Sequence, residues 1–253
     1  GEDGEKSGDS AVYLSSFHTY ESKTAFYLER IKQVPATVCF KNIEGQIAEA
    51  LKELPYRLSD EQVAAVHMAA ESKIMVLTGG PGTGKTTIIR AILSLYRQVT
   101  QRILLAAPTG RAAKRMADLT GAPAQTIHRL LEVDFSSKSH AFKRREDNPL
   151  TCDVLIIDEM SMVDTLLMDS LLKAIRPRTR LIMVGDSNQL PSVGAGNILR
   201  DLISSGRVPA VELKEIFRQA AQSLIVTNAH RIVDGEMPIL NDRRSDFFNL
   251  FVR

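Results

Sequence analysis

A lysine and a threonine hydroxyl follow a run of glycines in the first half of the chain. Gly79 to Thr86 has the sequence GGPGTGKT, which fits the phosphate-binding pattern G-x-x-x-x-G-K-[ST]. Glycines allow backbone N–H groups to face a pyrophosphate, and a helix N-terminus favours an anion. Lys85 would reach the outer phosphates of a nucleotide, and the Thr86 hydroxyl would complete the oxygen shell of a Mg²⁺ ion. The predicted nucleotide-binding residues of this loop are Gly79, Gly80, Pro81, Gly82, Thr83, Gly84, Lys85, Thr86 and Thr87.

Two adjacent acids form the second stretch whose residues could take part in a reaction. Asp158 and Glu159 follow the apolar, largely β-branched run 154–157. The carboxyl end of such a strand would place Asp158 beside the phosphate loop, where it could hold magnesium-bound water. Glu159 would orient or deprotonate an attacking water. The acid pair therefore favours hydrolysis of a nucleotide over binding alone.

Two neutral amides are further candidates. Gln62 lies on the first turn of a predicted helix that begins at Ser59 or Asp60, about one helix and one strand upstream of the glycine loop. An amide both donates and accepts, so at this place it could pair with the edge of adenine. Gln189 follows the predicted strand 180–184, where a neutral amide could sense the terminal phosphate.

A parallel sheet would bring these residues together. Strand, glycine loop and helix follow one another at 74–77, 79–84 and 88–96. Further strands are predicted at 102–107, 154–157, 180–184 and 210–213, and further helices at 112–119, 126–131, 197–203 and 221–233. The pattern predicts an α/β fold, a parallel sheet with helices on both faces and an active site at the carboxyl ends of its strands.

The first 57 residues differ from the rest. We predict a separate section at 1–57, a small α/β piece with helices at 21–34 and 42–54 and a short strand at 36–40, followed by the main domain at 58–253. The polar start of the chain is expected to be disordered. Because the chain begins with Gly1 and ends in an apolar tail at 242–253, we expect a fragment of a longer protein.

Composition sets broad limits. The 253 residues are 44% hydrophobic with a net charge of +2, which suits a real core and by itself indicates no polyanionic partner. Cys39 and Cys152 match no metal-ligand or redox spacing, so we expect reduced thiols and a cytoplasmic location. No apolar run approaches the about 20 residues of a membrane span, and no signal peptide is evident.

Taken together, the motifs resemble the RecD-like DNA helicases of superfamily 1, the exodeoxyribonuclease V alpha-subunit family with its stand-alone bacterial relatives. In chain order they are LSDEQ, GGPGTGKTT, APTGRAAKRM, TIHRLL, VLIIDEMSMVD, GDSNQLPSVGAGN and EIFRQ. They lie between residues 58 and 232, and their shared order is more specific than any one of them. The resemblance implies a P-loop NTPase with a RecA-like fold, here the first motor lobe of a helicase.

The resemblance also implies roles for residues. Gln62 would contact adenine, while Gln189 and Arg218 would touch the γ-phosphate. Arg218 would supply positive charge where negative charge develops in the transition state, so the implied catalytic set is Lys85, Glu159 and Arg218. The implied metal ligands are Thr86 and Asp158. The residues implied to line a path for single-stranded DNA are Pro108, Thr109, Arg111 and His128, because donors and planar groups suit backbone phosphates and stacked bases.

Cofactors and partners follow from the same resemblance. It implies ATP and Mg²⁺, single-stranded DNA along which the full-length protein moves 5′ to 3′, and other repair or recombination proteins. Family helicases have a second RecA-like lobe, which we expect to be missing from this chain. We therefore expect this chain to bind nucleotide weakly, hydrolyse it slowly and not unwind DNA.

Two other interpretations stay open. The motor half of a conjugative relaxase carries similar motifs, but such an enzyme needs a nucleophilic tyrosine and a histidine cluster upstream, and section 1–57 offers only His18. A nucleotide switch or binding module would use the glycine loop without movement along DNA. The pair Asp158–Glu159 argues against that class, since mere binding needs no water-activating acid.

Overall fold

Six parallel strands form one sheet in the computed structural model, which describes residues 14–133, 142–215, 223–240 and 246. The strands are β1 (Ile74–Gly79), β2 (Ile103–Ala107), β3 (Ala124–Thr126), β4 (Val154–Ile157), β5 (Arg180–Gly185) and β6 (Ala210–Leu213). Their order across the sheet is β3-β2-β4-β5-β1-β6, and each neighbouring pair is parallel. The carboxyl ends of all six strands therefore lie at one edge, where the predicted chemistry follows.

Helices connect these strands and cover both faces. In the described ranges they are α1 (Ser15–Gln33), α2 (Ile43–Lys52), α3 (Asp60–Glu71), α4 (Lys85–Arg97), α5 (Gly110–Thr120), α6 (Ile127–Leu131), α7 (Thr165–Ala174), α8 (Ile198–Ser204) and α9 (Leu224–Val233), with a 3₁₀ turn at Met160–Met162. No helix among the described residues has the length and apolar character needed to cross a membrane. The strands and helices predicted for the main domain are present, with ends that differ by up to three residues.

The core is divided by the sheet into two layers. β1, β4 and β5 are buried along their whole length. Because side chains alternate between faces, Leu181 and Met183 pack with α1, α6, α7 and α8, while Ile182 and Val184 pack with α2, α3, α4 and α5. Strands that are apolar on both faces are typical of a parallel sheet covered on both sides. The predicted α/β fold class is confirmed.

The N-terminal helices complete both layers. Leu28 and Ile31 of α1 are buried in the first layer, where α1 lies against α7. Ile47 and Ala50 of α2 are buried in the second, against α4. The predicted strand at 36–40 is wrong, because these residues form no strand. The described part of section 1–57 is therefore helical rather than α/β, and the boundary at residue 57 stays a prediction.

Arg180 is a buried cation at the amino-terminal edge of the sheet. Its side chain is 7% exposed, and its guanidinium lies 5.8 Å from the ring centre of Phe40 and 5.9 Å from that of Tyr96. It donates hydrogen bonds to the carbonyl oxygens of Val38, Ala70 and Ser72, at 2.9–3.3 Å. One fork of donors thus joins the segment after α1, the end of α3 and the start of β5.

We expect Arg180→Met to lower the free energy of unfolding by about 3 kcal/mol, because buried carbonyl oxygens would lose their donors. Urea unfolding followed by circular dichroism measures this. Arg178→Met is the matched control: Arg178 is exposed and two residues away, so its loss should stay within about 0.5 kcal/mol. A loss below about 1 kcal/mol in Arg180→Met would contradict the structural role.

Lys73 lies beside this cation. The Lys73 side chain is half-buried, and its Nζ donates to the carbonyl oxygens of Val34 and Pro177. Burial, followed by the charges of Arg180 and Arg178, lowers the pKa of Lys73 to about 8. Between about pH 8 and pH 10.5, Lys73 is therefore mostly protonated in the unfolded chain and mostly deprotonated in the folded chain.

Because the unfolded state binds more protons than the folded state in this pH range, the free energy of unfolding should rise with pH there. Measured against Lys73→Gln, which cannot titrate, the wild-type chain should gain stability between about pH 7 and about pH 9.5. Urea unfolding of both proteins at the two pH values cancels the titration of other groups. A difference between the proteins that does not change with pH would show that the pKa of Lys73 is ordinary.

Candidate nucleotide-binding site

The glycine loop between β1 and α4 has the backbone of a phosphate cradle. Gly82 and Gly84 have φ angles of 79° and 84°, a left-handed conformation that glycine adopts without strain. Gly84 is the N-cap of α4, and Lys85 is the first residue of that helix. Backbone N–H groups in such a loop can bind an anion at the positive end of the helix dipole. The predicted order of strand, loop and helix is confirmed.

The Lys85 ammonium lies within this loop. Its Nζ donates to the carbonyl oxygens of Gly79 and Gly80, at 2.5 and 3.0 Å. Burial lowers the pKa of Lys85, and the charges of Asp186, Asp158 and Glu159 oppose that effect. Three carboxylates are therefore close enough to the ammonium to influence its charge. The Lys85 ammonium can therefore replace its hydrogen bonds to backbone carbonyl oxygens with hydrogen bonds to phosphate oxygens.

The predicted acid pair stands at the end of β4, as expected. Burial raises the pKa of Asp158 and of Glu159, and the charge of Asp158 raises that of Glu159 further. The Asp158 carboxylate accepts a hydrogen bond from the backbone N–H of Glu159, at 2.9 Å. Glu159 itself has φ 56°, a conformation that costs a residue with a side chain energy and occurs most often at functional sites.

Two charged residues of the site were missed in the sequence. Asp186 follows β5, is 3% exposed, and influences the pKa of both Lys85 and Glu159. Arg115 projects from an exposed position of α5, and its charge lowers the pKa of Asp158 and of Glu159. The signal available for Asp186 was an acid directly after a predicted strand, the same signal that identified Asp158. Arg115 carried no comparable signal.

The loop after β5 is tied to the carboxyl end of β1 by the Thr78 hydroxyl. The Thr78 hydroxyl donates to Ser187 Oγ at 3.2 Å and accepts from the Ser187 backbone N–H at 3.1 Å. The predicted phosphate sensor Gln189 lies in the same loop, exposed, with its Oε1 3.5 Å from the Ser161 hydroxyl. The structure thus brings Gln189 to the correct edge of the sheet, and its contact with phosphate stays a prediction.

Gln62 has a structural role that the sequence reasoning did not assign. Its backbone N–H donates to Ser59 Oγ, and its Oε1 accepts from the Ser59 backbone N–H at 3.1 Å, which closes a capping box on α3. Its Nε2 donates to the Thr83 carbonyl at 3.2 Å, and the side chain is 2% exposed. Gln62 therefore braces the glycine loop. An amide retains a second donor and a second lone pair for adenine, so that contact stays a prediction.

The residues predicted to line a DNA path follow neighbouring strands. Pro108, Thr109 and Arg111 come after β2, where the Thr109 hydroxyl caps α5 by accepting from the Ala112 N–H. His128 comes after β3, and β3 pairs directly with β2. Arg111 and His128 are both exposed. Their side chains are thus available at one edge of the sheet.

Four other residues were predicted to bind nucleotide, metal or the γ-phosphate. Thr86 and Thr87 lie on the first turn of α4, and Thr87 Oγ1 is 3.3 Å from the Tyr56 hydroxyl oxygen. Thr83 is buried and its hydroxyl donates to the Gly80 carbonyl at 2.9 Å. Arg218 lies outside the described residues.

Two characterised relatives resemble this chain over most of its length. The ATP-dependent RecD2 DNA helicase of Deinococcus radiodurans is 35% identical over 237 residues, which are 94% of this chain and 32% of the helicase. The RecBCD enzyme subunit RecD of Mycolicibacterium smegmatis is 40% identical over 203 residues, 70% of this chain and 36% of the subunit. The chain thus spans about a third of the length of these relatives. The predicted resemblance to RecD-like helicases is confirmed.

A solved structure and a family profile agree with this result. The Pif1 helicase from Candida albicans superposes with a TM-score of 0.53 at 25% identity, covering 72% of this chain and 45% of that one. The profile of the AAA domain family matches residues 62–195, more than half of the chain. That range contains the glycine loop, the acid pair and the loop after β5. The chain therefore belongs to the AAA domain family.

Proposed function

We propose that this chain is the ATP-hydrolysing motor domain of a DNA helicase. The observation that carries the proposal is the approach of Lys85, Asp158 and Glu159 at one end of a glycine loop. A module that only binds nucleotide needs the loop, the lysine and an acid for Mg²⁺, but it has no use for Glu159 as a second, half-buried acid. The similarity to RecD2 and RecD supports the DNA part of the proposal.

ATP and Mg²⁺ are the proposed cofactors. The loop N–H groups and Lys85 would bind the β- and γ-phosphates. The Thr86 hydroxyl and the Asp158 carboxylate offer the oxygen ligands that Mg²⁺ prefers, so the residues present fit the ion. When bound, Mg²⁺ supplies charge neutralisation at the phosphate oxygens. Lys85 adds a second positive charge on the same side.

Glu159 is the proposed general base. Its carboxylate would take a proton from the attacking water as the water oxygen bonds to the γ-phosphorus and ADP leaves. Burial and the nearby Asp158 raise the pKa of Glu159, which makes its carboxylate a stronger base than an exposed glutamate. Gln189 and Arg218 are proposed to contact the γ-phosphate, where Arg218 would stabilise charge in the transition state.

Single-stranded DNA is the proposed partner of the exposed edge after β2 and β3. Arg111 would bind backbone phosphates, and the His128 ring would offer a plane for a base, in a path that Pro108 and Thr109 would also line. By similarity to the relatives, we also propose movement from 5′ to 3′ and a second RecA-like lobe. The proposed partners include other repair or recombination proteins, and the proposed location is cytoplasmic. All of these belong to the full-length protein.

We expect Glu159→Gln to lower ATP turnover about 100-fold or more, because the amide cannot accept the proton. ATP binding should change less than about threefold, since glutamine keeps the size of the side chain. Turnover is measured by phosphate release with and without single-stranded DNA, and binding by calorimetry. Lys85→Ala is the control for loss of binding, with an affinity at least about tenfold lower.

The outcomes separate the competing functions. Turnover in Glu159→Gln equal to that of the wild-type chain would exclude Glu159 as the base. Binding without any turnover in the wild-type chain, lost in Lys85→Ala, would indicate half of a motor that needs its second lobe; turnover that stays absent after a second lobe is added would favour a nucleotide switch. Turnover that single-stranded DNA leaves unchanged would contradict the proposed DNA path.

Gln62 allows a sharper test of base recognition. We expect Gln62→Ala to reduce the preference for ATP over GTP about tenfold, because the amide would no longer pair with adenine. It should also destabilise the chain by about 1 kcal/mol through loss of the capping box. Ser59→Ala is the matched control, because it opens the same capping box and leaves the Gln62 amide in place. Equal loss of preference in both variants would show that Gln62 acts on the nucleotide only through the helix cap.

A further inference from the structure

Helix α9 contacts the glycine loop through a histidine. His230 Nε2 lies 3.1 Å from the carbonyl oxygen of Pro81. The edge of the same ring covers Gly80: a Cβ atom on Gly80 would lie 2.5 Å from His230 Cε1 and 3.1 Å from Nε2. Gly80 does not have a left-handed φ, so its backbone does not need glycine. A side chain at this position would instead displace the imidazole from the loop.

The segment that carries His230 is folded on itself. Asn228 is fully buried, donates to the Ile239 carbonyl at 2.9 Å and accepts from the Ile239 N–H at 2.7 Å. Arg231 Nε donates to the Met237 carbonyl at 2.9 Å. These bonds fold residues 236–240 back along α9. His230 is therefore presented to the loop by a small structured unit, residues 223–240.

The contact lies at the outer-phosphate end of the loop. The Gly80 carbonyl accepts from Lys85 Nζ at 3.0 Å, and the Gly80 α-carbon faces the His230 ring. The ammonium and the imidazole thus meet at one residue. Lys85 is the group that reaches the β- and γ-phosphates in loops of this kind. A change in the position of Gly80 would alter both contacts together.

We propose that His230 is a positioning residue that holds the glycine loop and links nucleotide binding to the attachment of residues 223–240. The inference rests on the proposed function of the loop as a nucleotide site. A contact that favours the phosphate-binding conformation of the loop is itself favoured by bound phosphate, and this coupling is reciprocal. Because the contact is at the outer-phosphate end, the link is stronger for a triphosphate than for a diphosphate.

The test is a double-mutant cycle between Gly80→Ala and His230→Ala, with calorimetric affinities for ADP and a non-hydrolysable ATP analogue. His230→Ala should weaken binding of the ATP analogue about fivefold, and that of ADP less. Gly80→Ala should cost about tenfold in the wild-type chain and about twofold in the His230→Ala background, where the added methyl group meets no ring. His230→Gln keeps a donor for the Pro81 carbonyl and should recover most of the affinity.

Ile232→Ala is the matched control, since Ile232 is 59% exposed on the same helix and should leave nucleotide affinity unchanged. Hydrogen exchange gives a second readout: nucleotide should slow exchange of the α9 amides in the wild-type chain and not in His230→Ala. Wild-type affinity in His230→Ala, or an equal cost of Gly80→Ala in both backgrounds, would overturn the proposal. If His230→Ala does not fold, Gly80→Ala decides: an unchanged preference for the ATP analogue over ADP in that variant would overturn the proposal.

These readouts do not depend on turnover. A chain that hydrolyses no ATP, yet binds nucleotide with the predicted dependence on His230, would refute the proposed hydrolysis and support the linkage. A chain that hydrolyses ATP, but whose nucleotide affinity does not depend on His230, would support the proposed hydrolysis and refute the linkage.

Discussion

Partial burial of the Lys85 ammonium among three carboxylates is the constraint on which the rest of the site depends. Desolvation disfavours the charged form of a lysine, and it equally disfavours the charged forms of Asp158 and Glu159. The charge of Lys85 opposes this effect on both acids, and the charges of Asp186, Asp158 and Glu159 oppose it on Lys85. The parallel sheet, with β5 between β1 and β4, brings the three strand ends to the same place. The order of strands is therefore a condition for the charge balance, and the charge balance is a condition for chemistry at the glycine loop.

At the opposite edge of the sheet, two cations with little exposure to solvent are bound by neutral groups instead of carboxylates. Arg180 and Lys73 have backbone carbonyl oxygens as acceptors. Carbonyl oxygens satisfy the donors but bring no negative charge, and burial, followed by the charges of Arg180 and Arg178, lowers the pKa of Lys73 to about 8. Donors held in this way fix three segments of chain in place. The two edges thus use buried cations differently: one joins elements of the fold, and the other is arranged so that an anion can enter.

Much of the fold could be predicted because the decisive signals are local. The apolar run before Gly79 and the run before Asp158 identify strands by their neighbours in sequence, and the structure confirms them. Asp186 follows a predicted strand as Asp158 does, but its influence on Lys85 depends on the pairing of β5 with β1, which no local pattern contains. The double use of the Gln62 side chain, in a helix cap and a loop brace, likewise depends on tertiary placement. The predicted strand at 36–40 is wrong because these residues form a partly exposed loop, in which Val38 alone is buried and pairs with no strand.

The hydroxyl pair of Thr78 and Ser187 has a mechanical consequence. Thr78 is the last residue before the two glycines that open the phosphate loop, and Ser187 directly follows the buried Asp186. Because the Thr78 hydroxyl both donates to and accepts from Ser187, the end of β1 and the loop after β5 cannot shift independently without breaking these hydrogen bonds. The base of the phosphate loop and the loop after β5 are thus one stiff joint. A displacement of either segment is therefore transmitted to the other directly by the two hydrogen bonds between Thr78 and Ser187, and not along the length of β1 and β5.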